Sequence, residues 1–444
     1  MKKKTHALLA SVLAVGSLAI IQTAAAAPAG GPSAQVIHTY TLPSYSLVNF
    51  GYTQAELDIA QANGLTTTDH PAIGSGLQRL NGNHYISITD RGPNADRADG
   101  NKAFPLPQYT PTIVLFQATN DQIVPEAVLP IINDLGQGVT GIPNGPADDS
   151  TPYLTITSTN PLPFNLDGMD IEDVHTLPGG GFILVEEYGP SVVIVSPNGN
   201  VLKRYTPSGK TLTGAHYTVS DILPPVFKQR RANRGFEGLA VSSDGRTAYT
   251  LLQSPMGSTS AGNPTAIPPI PPSPYRDSRL IRILRLDISD PLNLQVTGEF
   301  VLLMQPVSEY PAGNSQRDLK ISAAAWVAQD KLLIEEHTDV AAAKLVLVDL
   351  SGATDVKDLA SAAAVPLVLE KLNTDLSALG ITPAATSVIL DIADFPEITE
   401  RKLEGMTILN PNEIAISNDN DFGIGANPNS VSTVWTIRLS SPLR

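Results

Sequence analysis

The chain has 444 residues, no cysteine and a formal net charge of −14 at pH 7. The lack of cysteine excludes disulfides, thiol nucleophiles, iron–sulfur clusters and cysteine-based zinc sites. The acidic excess argues against nucleic acid as a partner, because phosphate binding needs a basic surface. It is compatible with divalent cations, or simply with solubility.

The first 26 residues have the layout of a secretory signal peptide. Lys2, Lys3 and Lys4 precede an apolar stretch over 7–21 and a run of small residues over 23–27. The apolar stretch is shorter than the ~20 residues that a membrane-spanning helix needs, so we expect cleavage after Ala26 rather than a retained anchor. Cleavage would leave 26 basic against 43 acidic residues. We expect a periplasmic or secreted protein with no membrane span.

The composition of the chain predicts an all-β fold. There are 34 glycines and 37 prolines, and only 16% of the residues are charged. Many turn-forming residues among β-branched and aliphatic ones are typical of short strands joined by turns.

One local pattern recurs along the chain. An acidic or small polar residue is followed by Gly or Asp, an apolar residue, a turn and an apolar strand. Copies cover 76–89, 167–187, 236–252 and 403–419, and a weaker one covers 321–335. Such a recurrence is typical of a β-propeller, in which the innermost strand of each blade lines a central channel. We predict six blades in a single domain over residues 36–440.

Elements outside the repeats are also predicted. Strands 191–195 and 201–205 flank an Asn-Gly turn and form a hairpin. Further strands are expected at 280–286 and 344–349. The proline-rich segment 264–274 is expected to be a surface loop. The Ala- and Leu-rich segment 355–379 is the best candidate for a short helical insertion.

Three repeats carry a glutamate just before the predicted innermost strand. These are Glu172, Glu237 and Glu404. Equivalent positions in different blades surround one channel opening, so we predict that the three carboxylates converge there as catalytic groups. The alternative is that each glutamate accepts hydrogen bonds from a local turn.

Four segments together resemble the phytase-like (esterase-like activity of phytase) family of exported bacterial β-propeller proteins. They are 88–94 (ITDRGPN), 168–173 (GMDIED), 234–239 (RGFEGL) and 403–406 (LEGM), the last followed by 417–423 (SNDNDFG). The resemblance implies a possible phosphoric ester hydrolase of the phytase or esterase type.

Hydrolysis of a phosphate ester on such a fold would need a bound cation, and calcium prefers several oxygen ligands. Oxygen-bearing side chains are dense at 90–99 and at 418–421. We predict a tentative Ca²⁺ site, with ligands drawn from Asp90, Asn94, Asp173, Asp419 and Asp421. The alternative is a pair of ordinary turns, where Asp and Asn are common.

Positive groups lie inside or beside the same motifs. Arg91, Arg234 and Arg401 are the predicted substrate-binding residues, because guanidinium groups bind phosphate or carboxylate oxygens in pairs. They could equally neutralise the carboxylates of the channel. His175 and His337 could each act as a general base, or be satisfied structural histidines.

We therefore predict a metal-assisted hydrolase that acts on a small-molecule phosphate or related ester. The alternative is a non-catalytic propeller that binds a ligand or partner protein at its channel mouth. There is no Gly-x-Ser-x-Gly motif, so a serine hydrolase of the α/β type has no support.

Overall fold

The computed structural model describes residues 34–257, 275, 277–338, 342–365, 367–372, 374–400, 402–424 and 430–443. The predicted signal peptide and the proline-rich segment 264–274 lie outside these ranges. The chain from Ser33 to Arg444 forms one compact unit.

Strands dominate the described residues, which confirms the all-β prediction. In chain order they are β1 (Ala34–Thr41), β2 (Gly76–Asn81), β3 (His84–Ile88), β4 (Ala95–Asp96), β5 (Lys102–Ala103), β6 (Thr112–Thr119), β7 (Gln122–Pro130), β8 (Pro152–Tyr153), β9 (Ile171–Thr176), β10 (Phe182–Glu186), β11 (Ser191–Val195), β12 (Val201–Pro207), β13 (Val219–Leu223), β14 (Phe236–Val241), β15 (Thr247–Leu252), β16 (Leu280–Asp287), β17 (Gln295–Leu303), β18 (Lys320–Ala328), β19 (Lys331–His337), β20 (Ala343–Asp349), β21 (Ala385–Asp391), β22 (Leu403–Asn410), β23 (Glu413–Asn418) and β24 (Thr433–Leu439).

Helices are few and short in this part of the chain. The α-helices are α1 (Gln54–Ala62) and α2 (Ala360–Ala363). Single 3₁₀ turns cover Leu47–Phe50, Pro225–Gln229, Pro291–Asn293, Val307–Glu309, Gln316–Asp318, Ser377–Leu379, Ile392–Asp394 and Asp421–Gly423. No helix of the described residues is long and apolar enough to cross a membrane.

The strands form blades of four antiparallel strands. Blade 1 is β2-β3-β6-β7, blade 2 is β9-β10-β11-β12 with β13 on its outer edge, blade 3 is β14 to β17, and blade 4 is β18 to β21. Blade 5 combines β22, β23 and β24 with β1 from the other end of the chain. Strand β1 pairs antiparallel with β24 from Ala34↔Leu439 to Thr41↔Thr433, so the two ends of the domain close the ring.

The described residues form five blades, and the prediction of six is wrong. The innermost strands contact one another in the cyclic order β2, β9, β14, β18, β22 and back to β2. The ring is therefore complete with one blade for each recognised copy of the sequence pattern. Where the structure describes them, the long connections between copies are loops and outer strands, such as the small sheet β4-β5-β8, and they supply no further blade.

The small residue of the repeat lies where neighbouring innermost strands approach closely. Pairing registers shift between Phe236 and Gly238 and between Leu403 and Gly405, which marks a β-bulge at the start of each strand. A Cβ atom added at Gly238 would lie 2.9 Å from the backbone nitrogen of Ala324 in blade 4. The bulge and the missing side chain let the blades pack around a narrow axis.

Replacing Gly238 with alanine is therefore expected to destabilise the fold by about 1–3 kcal/mol, the usual range for overpacking. Gly352 is the matched control, because nothing lies within 4 Å of a Cβ added there; Gly352→Ala should change stability by less than about 0.5 kcal/mol. Chemical denaturation of both variants measures the difference. Equal stability of the two variants would show that the innermost strands are not tightly packed.

Among the described residues of 355–379, helical structure covers only Ala360–Ala363 and Ser377–Leu379, so it is much shorter than the predicted segment. A proline at position 366 interrupts the sequence. The segment instead packs Val356, Ala362 and Leu369 against blade 3 as a small apolar cluster.

Candidate functional site

Two sets of residues meet at one mouth of the channel. The first set lies at or just before the start of the innermost strand of each blade. The second set lies at or just after the end of the strand that pairs with it. Pairing registers place Ser75, Glu172, Glu237, Ser322 and Glu404 at corresponding positions of the first set, and Asp90, Glu187, Gln253, His337 and Asp419 at those of the second. All ten side chains are buried.

The structure brings Glu172, Glu237 and Glu404 together, as the sequence predicted. Burial raises the pKa of Glu172 well above its usual range, and the negative charges of Glu237, Asp170, Glu187 and Glu404 add to the increase. The pKa values of Glu237 and Glu404 are also raised, chiefly by burial. Each of these two side chains has a buried Oε2 atom with no hydrogen-bond partner.

Asp170, Glu172 and Glu187 form the tightest group of carboxylates, called the acidic triad below. Each offers one oxygen, and these oxygens all lie within 4.8 Å of one another. Asp170 and Glu172 are two residues apart at the start of β9, and alternate residues of a strand share one face. The backbone N–H of Glu187 donates to the carbonyl of Asp170 at 2.9 Å, which fixes the third member beside them.

The positive charges near the acidic triad do not offset the cost of burying its carboxylates. Burial, with a contribution from the charge of Asp170, raises the pKa of Glu187 to about 8 despite the opposing charges of Arg91 and Arg234. The Oε1 atom of Glu187 is buried and has no hydrogen-bond partner. Buried carboxylates are normally paired or bound to a metal, so this arrangement fits a divalent cation.

Arg91 lies beside the acidic triad. Its Nη1 atom is 2.9 Å from Asp149 and 3.2 Å from Asp170, and it also donates to the side-chain oxygen of Asn233. This placement agrees with the idea that Arg91 neutralises carboxylates. Arg234 acts on Glu187 through its charge, and the predicted residue Arg401 lies outside the described residues.

Lys402 pairs with carboxylates on the other side of the mouth. Its ammonium group lies 3.2 Å from Glu404 and 2.8 Å from Asp421, and it also pairs with Asp419. The predicted metal ligands Asp419 and Asp421 are thus paired with a lysine. Lys402 and Glu404 are two residues apart, and alternate residues of a strand share one face. The sequence could therefore have predicted that Lys402 lies beside Glu404, although it was not among the predicted site residues.

Of the remaining predicted metal ligands, one lies at the mouth and two do not. Asp90 is buried, and its pKa is raised by burial and then by the charge of Asp419, so it belongs to the mouth. Asn94 donates to the carbonyl of Gly92 and stabilises a loop. Asp173 accepts from the backbone N–H groups of Val174 at 2.8 Å and Leu239 at 2.9 Å. The structure therefore does not bring Asn94 or Asp173 into the acidic cluster, because local and inter-blade hydrogen bonds hold them.

Chemically, the mouth combines carboxylates whose pKa values are raised by burial with the positive charges of Arg91 and Lys402. A protonated carboxyl group can donate a proton, and an ionised one can bind a cation or orient water. Sequence reasoning missed Asp170, Glu187, Asp149 and Lys402. The alternation of Asp170 with Glu172 was a usable signal, whereas the contribution of Asp149 depends on a long loop.

Similar proteins provide limited further information. An alignment over 135 residues, which covers 27% of this chain, shows 30% identity to an uncharacterized secreted protein of Arthroderma benhamiae. The chain spans about a quarter of that relative, 24% of its length.

Solved structures align over most of the chain, but their backbones superpose poorly on it. A glycoside hydrolase family 43 arabinoxylan arabinofuranohydrolase from Bacillus subtilis is 11% identical, with 84% of this chain and 64% of that chain covered and a TM-score of 0.39. The calcium-binding protein regucalcin from Agrobacterium tumefaciens is 10% identical, with 85% and 93% covered and a TM-score of 0.35. At these scores the likeness carries no argument about activity.

The family comparison covers far more of the molecule. A family model described as phytase-like, esterase-like activity of phytase, matches residues 72–422. This range runs from just before β2 through β23, and it includes every described residue of the acidic mouth named above. The chain belongs to the phytase-like family.

Proposed function

We propose that the protein is an exported, metal-assisted hydrolase of phosphate or related esters, with its active site at the acidic mouth. The observation that carries the proposal is the acidic triad, whose oxygens lie within 4.8 Å of one another and whose Glu187 keeps a buried, unpartnered oxygen. Export is supported by the layout of residues 1–26 and by the secreted relative.

Asp170, Glu172 and Glu187 would hold the cation, and we propose Ca²⁺ because calcium accepts carboxylate oxygens in irregular arrangements. A bound divalent cation would neutralise an ester's phosphate group and polarise water. Asp419 and Asp421 are left out of this ligand set, because Lys402 pairs with both.

The chain's own residues would then position the substrate and move the proton. Glu237 is held by a hydrogen bond from Gln253 at 2.6 Å, and burial raises its pKa well above the usual range, which favours the protonated form. It is our candidate for donating a proton to the leaving group. Lys402 has a side chain 35% exposed, so it could contact an entering anion. Arg91 would orient the triad through Asp170.

The test is an assay of the mature protein against a panel of phosphate and carboxylate esters, with Ca²⁺ or with a chelator. We expect hydrolysis that requires the cation, and a loss of about 10²-fold or more in kcat for Glu237→Gln, the usual contribution of a general acid. Glu126→Gln is the control, since Glu126 lies exposed on β7. Full activity of Glu237→Gln would contradict the assigned role.

A second candidate function is supported by the internal ion pairs of the mouth. Arg91 pairs with Asp149 and Asp170, and Lys402 pairs with the carboxylates of blade 5. A propeller that only binds a ligand or partner there would be expected to have such pre-paired charges. Stabilisation by Ca²⁺ without turnover of any ester would favour this second function.

A further inference from the structure

A second cavity, of about 440 Å³, opens on the propeller axis away from the acidic mouth. It is lined by the later residues of all the innermost strands, including Arg79 of β2, His175 of β9, Trp326 of β18 and Thr407 of β22. None of the three acidic-triad residues lines it. Its volume falls within the roughly 300–1,000 Å³ of typical small-molecule sites.

Within the part of the chain that the structure describes, one residue of the lining has a hydrogen-bond donor without a protein acceptor, and another carries a positive charge without a carboxylate partner. The indole Nε1 atom of Trp326 is buried and has no hydrogen-bond partner. Arg79 donates from Nε to the carbonyl of Gly82 at 2.8 Å and from Nη1 to that of Leu409 at 3.0 Å. Among the described residues, Arg79 makes no ion pair with a carboxylate, although the chain has 43 acidic and only 29 basic residues.

The acidic residue and the histidine of the lining are already held by protein hydrogen bonds. Asp173 is the acidic residue of the lining, and its carboxylate accepts from the backbone N–H groups of Val174 and Leu239. The Nδ1 atom of His175 lies 2.9 Å from the carbonyl of Thr176. Leu239, Ala324 and Met406 are among the apolar residues of the lining.

We propose that this cavity binds a small organic carboxylate, with its oxygens on Arg79 and its apolar body in contact with Leu239, Ala324 and Met406 near Trp326. A guanidinium group binds a carboxylate through charge-assisted hydrogen bonds, and an apolar body would displace water from the aliphatic walls. The proposal is independent of the function assigned to the acidic mouth.

Tryptophan fluorescence can report binding directly. The chain has two tryptophans, and Trp435 is only 2% exposed in the core. In a Trp435→Phe variant, Trp326 becomes the sole reporter. Titration with benzoate at constant ionic strength should give a saturable change, and benzyl alcohol, its neutral counterpart, should bind about tenfold more weakly.

Arg79→Gln in the same background should weaken benzoate binding about tenfold and leave benzyl alcohol binding unchanged. Arg438→Gln is the control, because that arginine is 59% exposed and pairs with Glu413. Calorimetry on Trp326→Phe provides a second measurement, in which benzoate binding should weaken because a donor is lost. Equal binding of the two probes, unchanged binding by Arg79→Gln, or no saturable signal would each overturn the proposal.

Discussion

Replacing Glu187 with glutamine should raise the melting temperature of the metal-free protein at pH 8 and remove most of the calcium-specific stabilisation. The pKa of Glu187 is about 8 in the folded protein, against about 4.3 for a glutamate in an unfolded chain. Because the folded pKa is the higher one, this group's contribution to stability is complete below about pH 4. It is lost as the pH rises through 8.

The size of this effect follows from linkage. At pH 8 the shift corresponds to a loss of about 5 kcal/mol relative to acidic pH, and glutamine cannot ionise. The metal-free variant should therefore lose less stability than the parent protein between pH 5 and pH 8. Melting curves at the two pH values measure the difference, and Glu126→Gln on the surface should behave like the parent.

Calcium should act in the opposite direction on the parent protein. A cation that binds only the folded state stabilises it by about 2.7 kcal/mol at a hundredfold excess over Kd, and ionisation of the acidic triad favours binding, so the increment should grow with pH. Sodium at matched ionic strength is the control, because screening alone helps an acidic protein. Equal shifts with Ca²⁺ and Na⁺, or an undiminished calcium response in Glu187→Gln, would contradict the metal site.

The ring of blades was predictable because the sequence repeats its own structural units. Glu237 and Glu404 lie in nearly identical contexts, Phe-Glu-Gly-Leu and Leu-Glu-Gly-Met, and equivalent residues of a closed ring must approach its axis. The number of blades was not predictable in the same way. The last blade takes β1 from the opposite end of the chain, so its four strands are not consecutive in the sequence.

The ligand set was harder to predict because it depends on register. Asp173 is an acidic residue inside a family-like motif, yet the bulge in blade 2 places it between strands, where it accepts from Leu239 of blade 3. Glu187 ends the neighbouring strand and comes beside Asp170 only through antiparallel pairing. The acidic motifs of the sequence therefore pointed to residues of the mouth. They did not show that Asp173 accepts backbone hydrogen bonds or that Asp419 and Asp421 pair with Lys402.

Replacing Arg91 with methionine should destabilise the protein by about 3–5 kcal/mol at pH 8, the usual cost of leaving a buried ionised partner unpaired. The guanidinium lies within 3.2 Å of both Asp149 and Asp170, and all three side chains are at most 8% exposed. Burial raises the pKa of Asp149, and the charge of Arg91 opposes that increase. Without Arg91 the pKa of Asp149 should rise further, and its carboxylate should be protonated more readily.

That pKa change makes the cost of Arg91→Met depend on pH. At lower pH the unpaired Asp149 carboxylate, whose pKa is raised, can take up a proton, so the loss of stability near pH 5 should be clearly smaller than at pH 8. Denaturant titrations at both pH values measure it, with Arg438→Met as a control expected to cost at most about 1 kcal/mol, since its ion pair is exposed. Adding Asp149→Asn to Arg91→Met should recover part of the loss at pH 8. A pH-independent cost, or no recovery, would mean that Arg91 acts through packing rather than by neutralising the acidic mouth.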